Sequence, residues 1–175
     1  SLIQKEGFSK MLNNPLSFIG HSRLVTHGIS EINSNNQPVV KEDAVVIHNG
    51  IIVNAEQLYT EFPQFSRKFN VDTEIFLDLL NWYRKESGST ITAIQQTYTH
   101  IKGAASVAVL FDDSPNILLA SNTGSLYFCS SYDQRIALFA SEKFILTQMK
   151  EKKYLKPILG GQPVVQVKAG TGLLI

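Results

Sequence analysis

The stretch "AVVIHNGIIVN", residues 44–54, decides how the chain is read. β-Branched residues stand on both sides of a His-Asn-Gly step, which is strand composition. Asn-Gly between two apolar runs normally marks a tight hairpin turn, so local chemistry predicts two short strands joined at Asn49–Gly50. A rival reading uses the Asn49 side-chain amide and the Gly50 backbone N–H as two converging donors. That pair is what acyl transfer needs where an oxyanion develops. The apolar flanks, which suggest a buried strand pair, give the polar step something to face.

Upstream lies "IGHSRLVTHGIS", residues 19–30, in which two histidines, an arginine, hydroxyls and a glycine crowd together. "LSFIGHSRLVT" (16–26) reads as a broken strand running into a polar loop, and "NSNNQPVVKED" (33–43) as loop from its Asn and Pro content. The two polar segments read as walls of one small-molecule pocket. Arg23 can hold a carboxylate bidentately through its planar fork, or lie on the surface with its stem on apolar neighbours. Thr26, His27 and the following glycine supply a hydroxyl, an imidazole and an approachable backbone. His21, His27 and His48 match no metal-ligand spacing, and no carboxylates are interleaved, so they read as core or loop histidines.

Downstream, helical spacing takes over. "NAEQLYTEF" (54–62) has Asn54 as its cap, and "DTEIFLDLLNWYRKESG" (72–88) opens at Asp72 or Thr73 and closes at Gly88. Ile75, Phe76, Leu79, Leu80 and Tyr83 recur so that one face packs on a sheet. Asp72 is explained as a cap, yet a capping carboxylate keeps a second oxygen free for an ammonium. "STITAIQQTYTHIKG" (89–103) is a third helix. Five strand candidates follow, "AASVAVLFDD", "NILLASNT", "SLYFCSSY", "RIALFASE" and "PVVQVKAG", with "EKFILTQMK" (142–150) as a short helix between the last two. Strands apolar on both faces imply layers on both sides. The prediction is one α+β domain in which helices sandwich the sheets.

Composition narrows the function classes. The 175 residues suit a single domain, and the formal net charge of +1 argues against a nucleic-acid binder. The basic run "KEKKYLK" (150–156) reads as a solvated helix end. No run of membrane-spanning length and no signal-peptide pattern is seen. The single cysteine, Cys129, excludes an internal disulfide framework and a thiolate-rich metal site. It reads as a buried structural thiol, and the balance favours a reducing, cytoplasmic setting.

Taken in order, "HSRLVTHG" (21–28), "HNGIIVN" (48–54), "DTE" (72–74) and "GAASVAVL" (103–110) resemble the motifs of the class II glutamine amidotransferase domain, an amino-terminal-nucleophile hydrolase. The likeness is greatest to the glutaminase domain of the glucosamine-6-phosphate synthases and spans nearly the whole chain. It implies a four-layer α-β-β-α sandwich over residues 1–175. It also implies roles: Arg23 for the α-carboxylate of L-glutamine, Thr26 and His27 as adjacent pocket wall, Asp72 for the α-ammonium, and Asn49 with Gly50 as oxyanion hole. The reaction implied is hydrolysis through a cysteinyl thioester, with ammonia passed to an acceptor on a synthase domain. No metal or organic cofactor is implied.

Two departures qualify the likeness. The family opens on a nucleophilic cysteine, whereas this chain opens "SLIQKEGFSKML", which resembles a segment well inside the family domain. The expectation is a domain incomplete at its amino terminus and inactive alone. The alternative is a non-catalytic amino-acid-binding or scaffold domain of the same fold. The second departure is Leu24, where the synthases carry tryptophan.

Overall fold

Strand β1 (Val39–Lys41) and strand β2 (Ala44–Ile52) form the first hairpin, and its turn is Glu42–Asp43 rather than Asn49–Gly50. Lys41 pairs with Ala44, and Glu42 takes the left-handed φ of 53° that closes so short a turn. The Asn-Gly preference is overridden because every β2 residue from Ala44 to Ile52 has a partner on β3 (Gly103–Phe111). A long ladder with one face in the core outweighs the bias of one dipeptide. The computed structural model describes residues 16–22 and 36–175. Within it, 16–22 form no strand, contrary to the expected broken strand, and the remainder of that stretch lies outside the described residues. The expected loop over 33–43 gives way to β1 in its β-branched second half.

The main sheet has the order β1-β2-β3-β4-β8, antiparallel throughout, with β4 at Ser114–Ser121 and β8 at Thr171–Leu174. A smaller sheet follows the order β6-β5-β7, from Ala137–Ala140, Tyr127–Ser130 and Val165–Gln166. Among the described residues the helices are α1 (Ala55–Glu61), α2 (Thr73–Ser87), α3 (Thr90–His100) and α4 (Lys143–Lys150), and one short turn, α5, covers Lys156–Leu159. Strand β8 and α5 went unread in the sequence. Gly172 breaks the apolar alternation of the one, and four residues carry no period for the other.

Alternation along the strands separates two cores. Val46, Val109 and Leu118, in register across three strands, face α2 and α3, where Ile75, Phe76, Leu79 and Leu80 are fully buried. Each such side chain contributes about 1.5–3 kcal/mol. Ala108 and Leu119 point the other way and meet Leu126, Phe128, Phe139 and Val167 between the sheets. Cys129, next along β5, alternates outward to the layer of α4, where Leu146 is also fully buried. The result is the expected order of helix, sheet, sheet, helix. Helix α2 departs from expectation, for residues 73–81 are buried all round and not on one face only. The segment before α2 packs Phe65, Phe69 and Val71 against the same core.

The helix ends show which local signals held. Ser89 accepts from the Thr92 N–H, and Gly88 closes α2 in the left-handed region at φ 64°. Asp72 and Asn54 make no side-chain cap bond, contrary to prediction. Asn54 bridges the Lys102 N–H and the His100 carbonyl instead, fastening the end of α3 to the start of β3. The run at 150–156 begins at the end of α4 and is, as read, mostly exposed, continuing as turn up to α5.

Candidate functional site

The site is built along the edge of β2 that β1 leaves uncovered. In the β2–β3 ladder the odd residues exchange hydrogen bonds with β3, as the neighbouring bond from Val53 N–H to the Lys102 carbonyl shows. The even residues therefore turn their backbone groups outward. At Val46 they meet β1. At His48 they meet Gln37, whose side-chain amide donates to the His48 carbonyl at 2.9 Å and accepts from the His48 N–H. At Ile52 the N–H donates to Asp72 Oδ2 at 2.7 Å. The Gly50 N–H stands in this row, between the amide of Gln37 and the carboxylate of Asp72.

Gly50 is glycine for a steric reason. Its φ is +140°, and a Cβ there would sit 2.0 Å from the Ala104 carbonyl oxygen and 3.0 Å from His48 Nε2. The buried His48 ring fills the space beneath it. Nε2 lies 3.1 Å from the Ala104 carbonyl oxygen, which only accepts, so Nε2 carries a proton. Nδ1 lies 3.3 Å from Thr73 Oγ1 and 3.7 Å from Asp72 Oδ1. Read in the sequence as a core or loop histidine, His48 is a buried strut between β2, β3 and the start of α2. Among the described residues no cluster of histidine, cysteine and carboxylate could hold a metal ion.

Asp72 is partly exposed, at 29% of its side chain. Burial works against its ionisation, but the His48 ring and the Ile52 N–H outweigh that and hold its pKa below the ordinary 3.8. The start of α2 that carries it is anchored from below by a buried ionic cluster. Lys41 Nζ lies 2.8 Å from Glu74 Oε1 and 2.7 Å from Asp78 Oδ1, and it donates to the Ser66 carbonyl at 2.6 Å. Glu74 also accepts from the N–H groups of Lys68 and Phe69, at 2.8 and 2.7 Å. Burial disfavours the charge on Lys41, yet the two carboxylates prevail and raise its pKa. For Asp78 burial prevails over Lys41, and its pKa is raised.

Asn49 alternates to the other face of β2 and is exposed there. It lines a cavity of about 410 Å³ between the two sheets, with His21, Ser22, Ser106, Ser141 and Glu142. His21 and Ser22 immediately precede Arg23, so the first polar segment does reach Asn49. Arg23, Thr26 and His27 themselves lie outside the described residues. Asp72 does not line this cavity, and is tied to the site through the Ile52 N–H two residues beyond Gly50. Gln37 and Ser106 were not singled out in the sequence. Gln37 sits in a run of polar loop residues and Ser106 inside a strand, where neither pattern signals chemistry.

Cys129 is wholly buried on β5, and burial pushes its thiol above the ordinary 9.0 although Lys150 opposes this. This is the structural thiol expected.

Residues 21–148 match the sequence profile of a family described as a glutamine amidotransferase domain. Glutamine–fructose-6-phosphate aminotransferase (isomerizing) of Wigglesworthia glossinidia brevipalpis is 33% identical over 151 residues, covering 77% of this chain and 24% of that protein. The protein of the same name from Escherichia coli (strain K12) is 37% identical over 110 residues, or 61% of this chain and 18% of that one. The chain thus spans 24% or less of the length of these relatives. Among solved structures, the glutamine phosphoribosylpyrophosphate amidotransferase of B. subtilis, complexed with ADP and GMP, shares the fold. It superposes with a TM-score of 0.62 at 22% identity, covering 89% of this chain and 32% of its own.

Proposed function

Because the chain belongs to the glutamine amidotransferase domain family, we propose that it forms the L-glutamine pocket of a class II amidotransferase. The α-ammonium sits on Asp72, the α-carboxylate on Arg23 with Thr26 and His27 alongside, and the carboxamide between Asn49 and Gly50. In the complete protein an amino-terminal cysteine supplies the attacking thiol, since Cys129 is buried on the far side of its sheet. Sulfur adds to the carboxamide carbon, and the carbonyl oxygen takes the charge against the Asn49 amide and the Gly50 N–H. The C–N bond then breaks, ammonia leaves with the thiol proton carried by the cysteine's own α-amine, and a thioester remains. Water hydrolyses it to glutamate and restores the thiol. The ammonia goes to an acceptor held by a synthase domain. A cytoplasmic setting accords with the single unpaired thiol. No helix among the described residues is long and apolar enough to cross a membrane.

One observation carries the reading. Asn49–Gly50 is held in mid-strand, not in a turn, with Gly50 on the edge of β2 beyond β1, two residues from the Asp72 contact. Calorimetric titration of the complete protein with L-glutamine tests it. Arg23→Ala and Asp72→Asn should each weaken binding at least tenfold, each removing one charged partner of a zwitterion. Unchanged affinity in both variants rejects the pocket.

A further inference from the structure

Ser106 stands opposite Asn49 in the β2–β3 ladder, on the same face, and lines the same cavity. It is 3% exposed, and its Oγ lies 2.7 Å from Oγ of Ser121, which is fully buried. The direction of that bond follows from counting donors. Ser121 Oγ receives the Gly124 N–H at 2.7 Å and the Thr123 N–H at 3.2 Å, which occupies both its lone pairs. Its single proton is therefore given to Ser106 Oγ. Ser106 accepts there and keeps its own proton to donate. Thr123 Oγ1, at 3.4 Å, is its other hydroxyl neighbour among the described residues, beyond the roughly 2.5–3.0 Å of a hydroxyl bond. Among the described residues that long contact is the alternative acceptor for the Ser106 proton, so a better-placed acceptor entering the cavity can take it.

We propose that the Ser106 hydroxyl, turned into the cavity by Ser121, is a third hydrogen-bond donor to the substrate carboxamide oxygen beside Asn49, an inference that rests on the glutamine reading above. Residues directly opposite in an antiparallel ladder have Cβ atoms about 5 Å apart, so one oxygen can lie between the two side chains. The backbone amides of Thr123 and Gly124 set the direction of the chain from its far end.

The test is an NMR titration of the complete protein, at millimolar ligand, with L-glutamine and with L-norleucine, which shares the amino-acid end but has no carboxamide. Ser106→Ala and the near-isosteric Ser106→Cys should bind glutamine about tenfold more weakly and norleucine as the wild type does. Ser106→Thr, which keeps the hydroxyl, should restore glutamine binding. Wild-type affinity for glutamine in both the Ala and Cys variants overturns the inference and leaves the pocket standing. Equal losses for both ligands also overturn it, since they mark a packing role. Absence of glutamine binding by the wild type overturns the glutamine reading and this inference together.

Discussion

Asp72 Oδ2 accepts a 2.7 Å hydrogen bond from the backbone N–H of Ile52, so the residue before helix α2 is fastened to the end of strand β2. A carboxylate placed to cap its own helix serves the neighbouring strand instead. This bond fastens the Asp72 carboxylate two residues beyond Gly50 on the same edge of β2, and it makes Asp72 both a structural and a candidate binding group.

Its pH dependence has a definite sign. The folded pKa of Asp72 lies below the ordinary 3.8, so its contribution to stability is present above that value and lost as pH falls through the folded pKa. Asp72→Asn should therefore be less stable than wild type by about 1 kcal/mol at pH near 7. The gap should close once the wild-type carboxyl is protonated. Urea unfolding followed at neutral pH and at about pH 2.5 checks both halves.

The buried cluster should behave in the opposite sense. Lys41 and Asp78 both have raised pKa values, so the stability each contributes is full below its unfolded pKa, ordinarily 10.5 and 3.8, and lost as pH rises through the folded value. Lys41→Met leaves two buried carboxylates without their cation and should cost about 3–5 kcal/mol near pH 7. It removes what opposed the rise at Asp78, so the deficit should grow as pH rises from the ordinary 3.8 toward neutrality. A deficit that stays level across that range would contradict the burial argument.

Gly50→Ala should be the most damaging single-methyl change in β2. Its Cβ would meet a backbone carbonyl oxygen at 2.0 Å, in a conformation with φ +140° that L-residues rarely adopt. A loss of about 3 kcal/mol or more is expected, or failure to fold. Ile51→Ala, next in the strand but 68% exposed, should cost far less in the same thermal unfolding experiment.

Asn49→Ala separates chemistry from folding. The side chain is exposed on the cavity wall, so stability should stay within about 0.5 kcal/mol of wild type. Glutamine turnover by the complete protein should fall by about 10² to 10³, the usual effect of losing one oxyanion donor. Steady-state glutaminase assay and urea melts on the same preparation decide between the roles.

Cys129 should stay silent in both respects. Thiol labelling of the folded protein is expected to be slow and to become fast in denaturant, since the group is wholly buried with its pKa pushed up. Cys129→Ala should leave glutamine turnover intact.

Much of this protein was legible in its residues alone. The apolar spacing of Ile75, Phe76, Leu79 and Leu80, the Ser89 cap and the Gly88 stop are local signals, each acting within one or two turns of chain, and the structure keeps them all. The strand order, the burial of α2 on all sides, the strand at Asn49–Gly50 and the partners of Asp72 and Asn54 were decided elsewhere. In each case the bond that won joins groups at least twenty residues apart or belongs to a ladder spanning the domain, where burial raises the worth of a satisfied polar group above any local turn or cap preference. Which hydroxyl of Ser106 and Ser121 gives its proton to the other is likewise invisible in sequence, because the local turn that occupies Ser121 with two backbone amides matters only once the β3–β4 register sets Ser106 beside it.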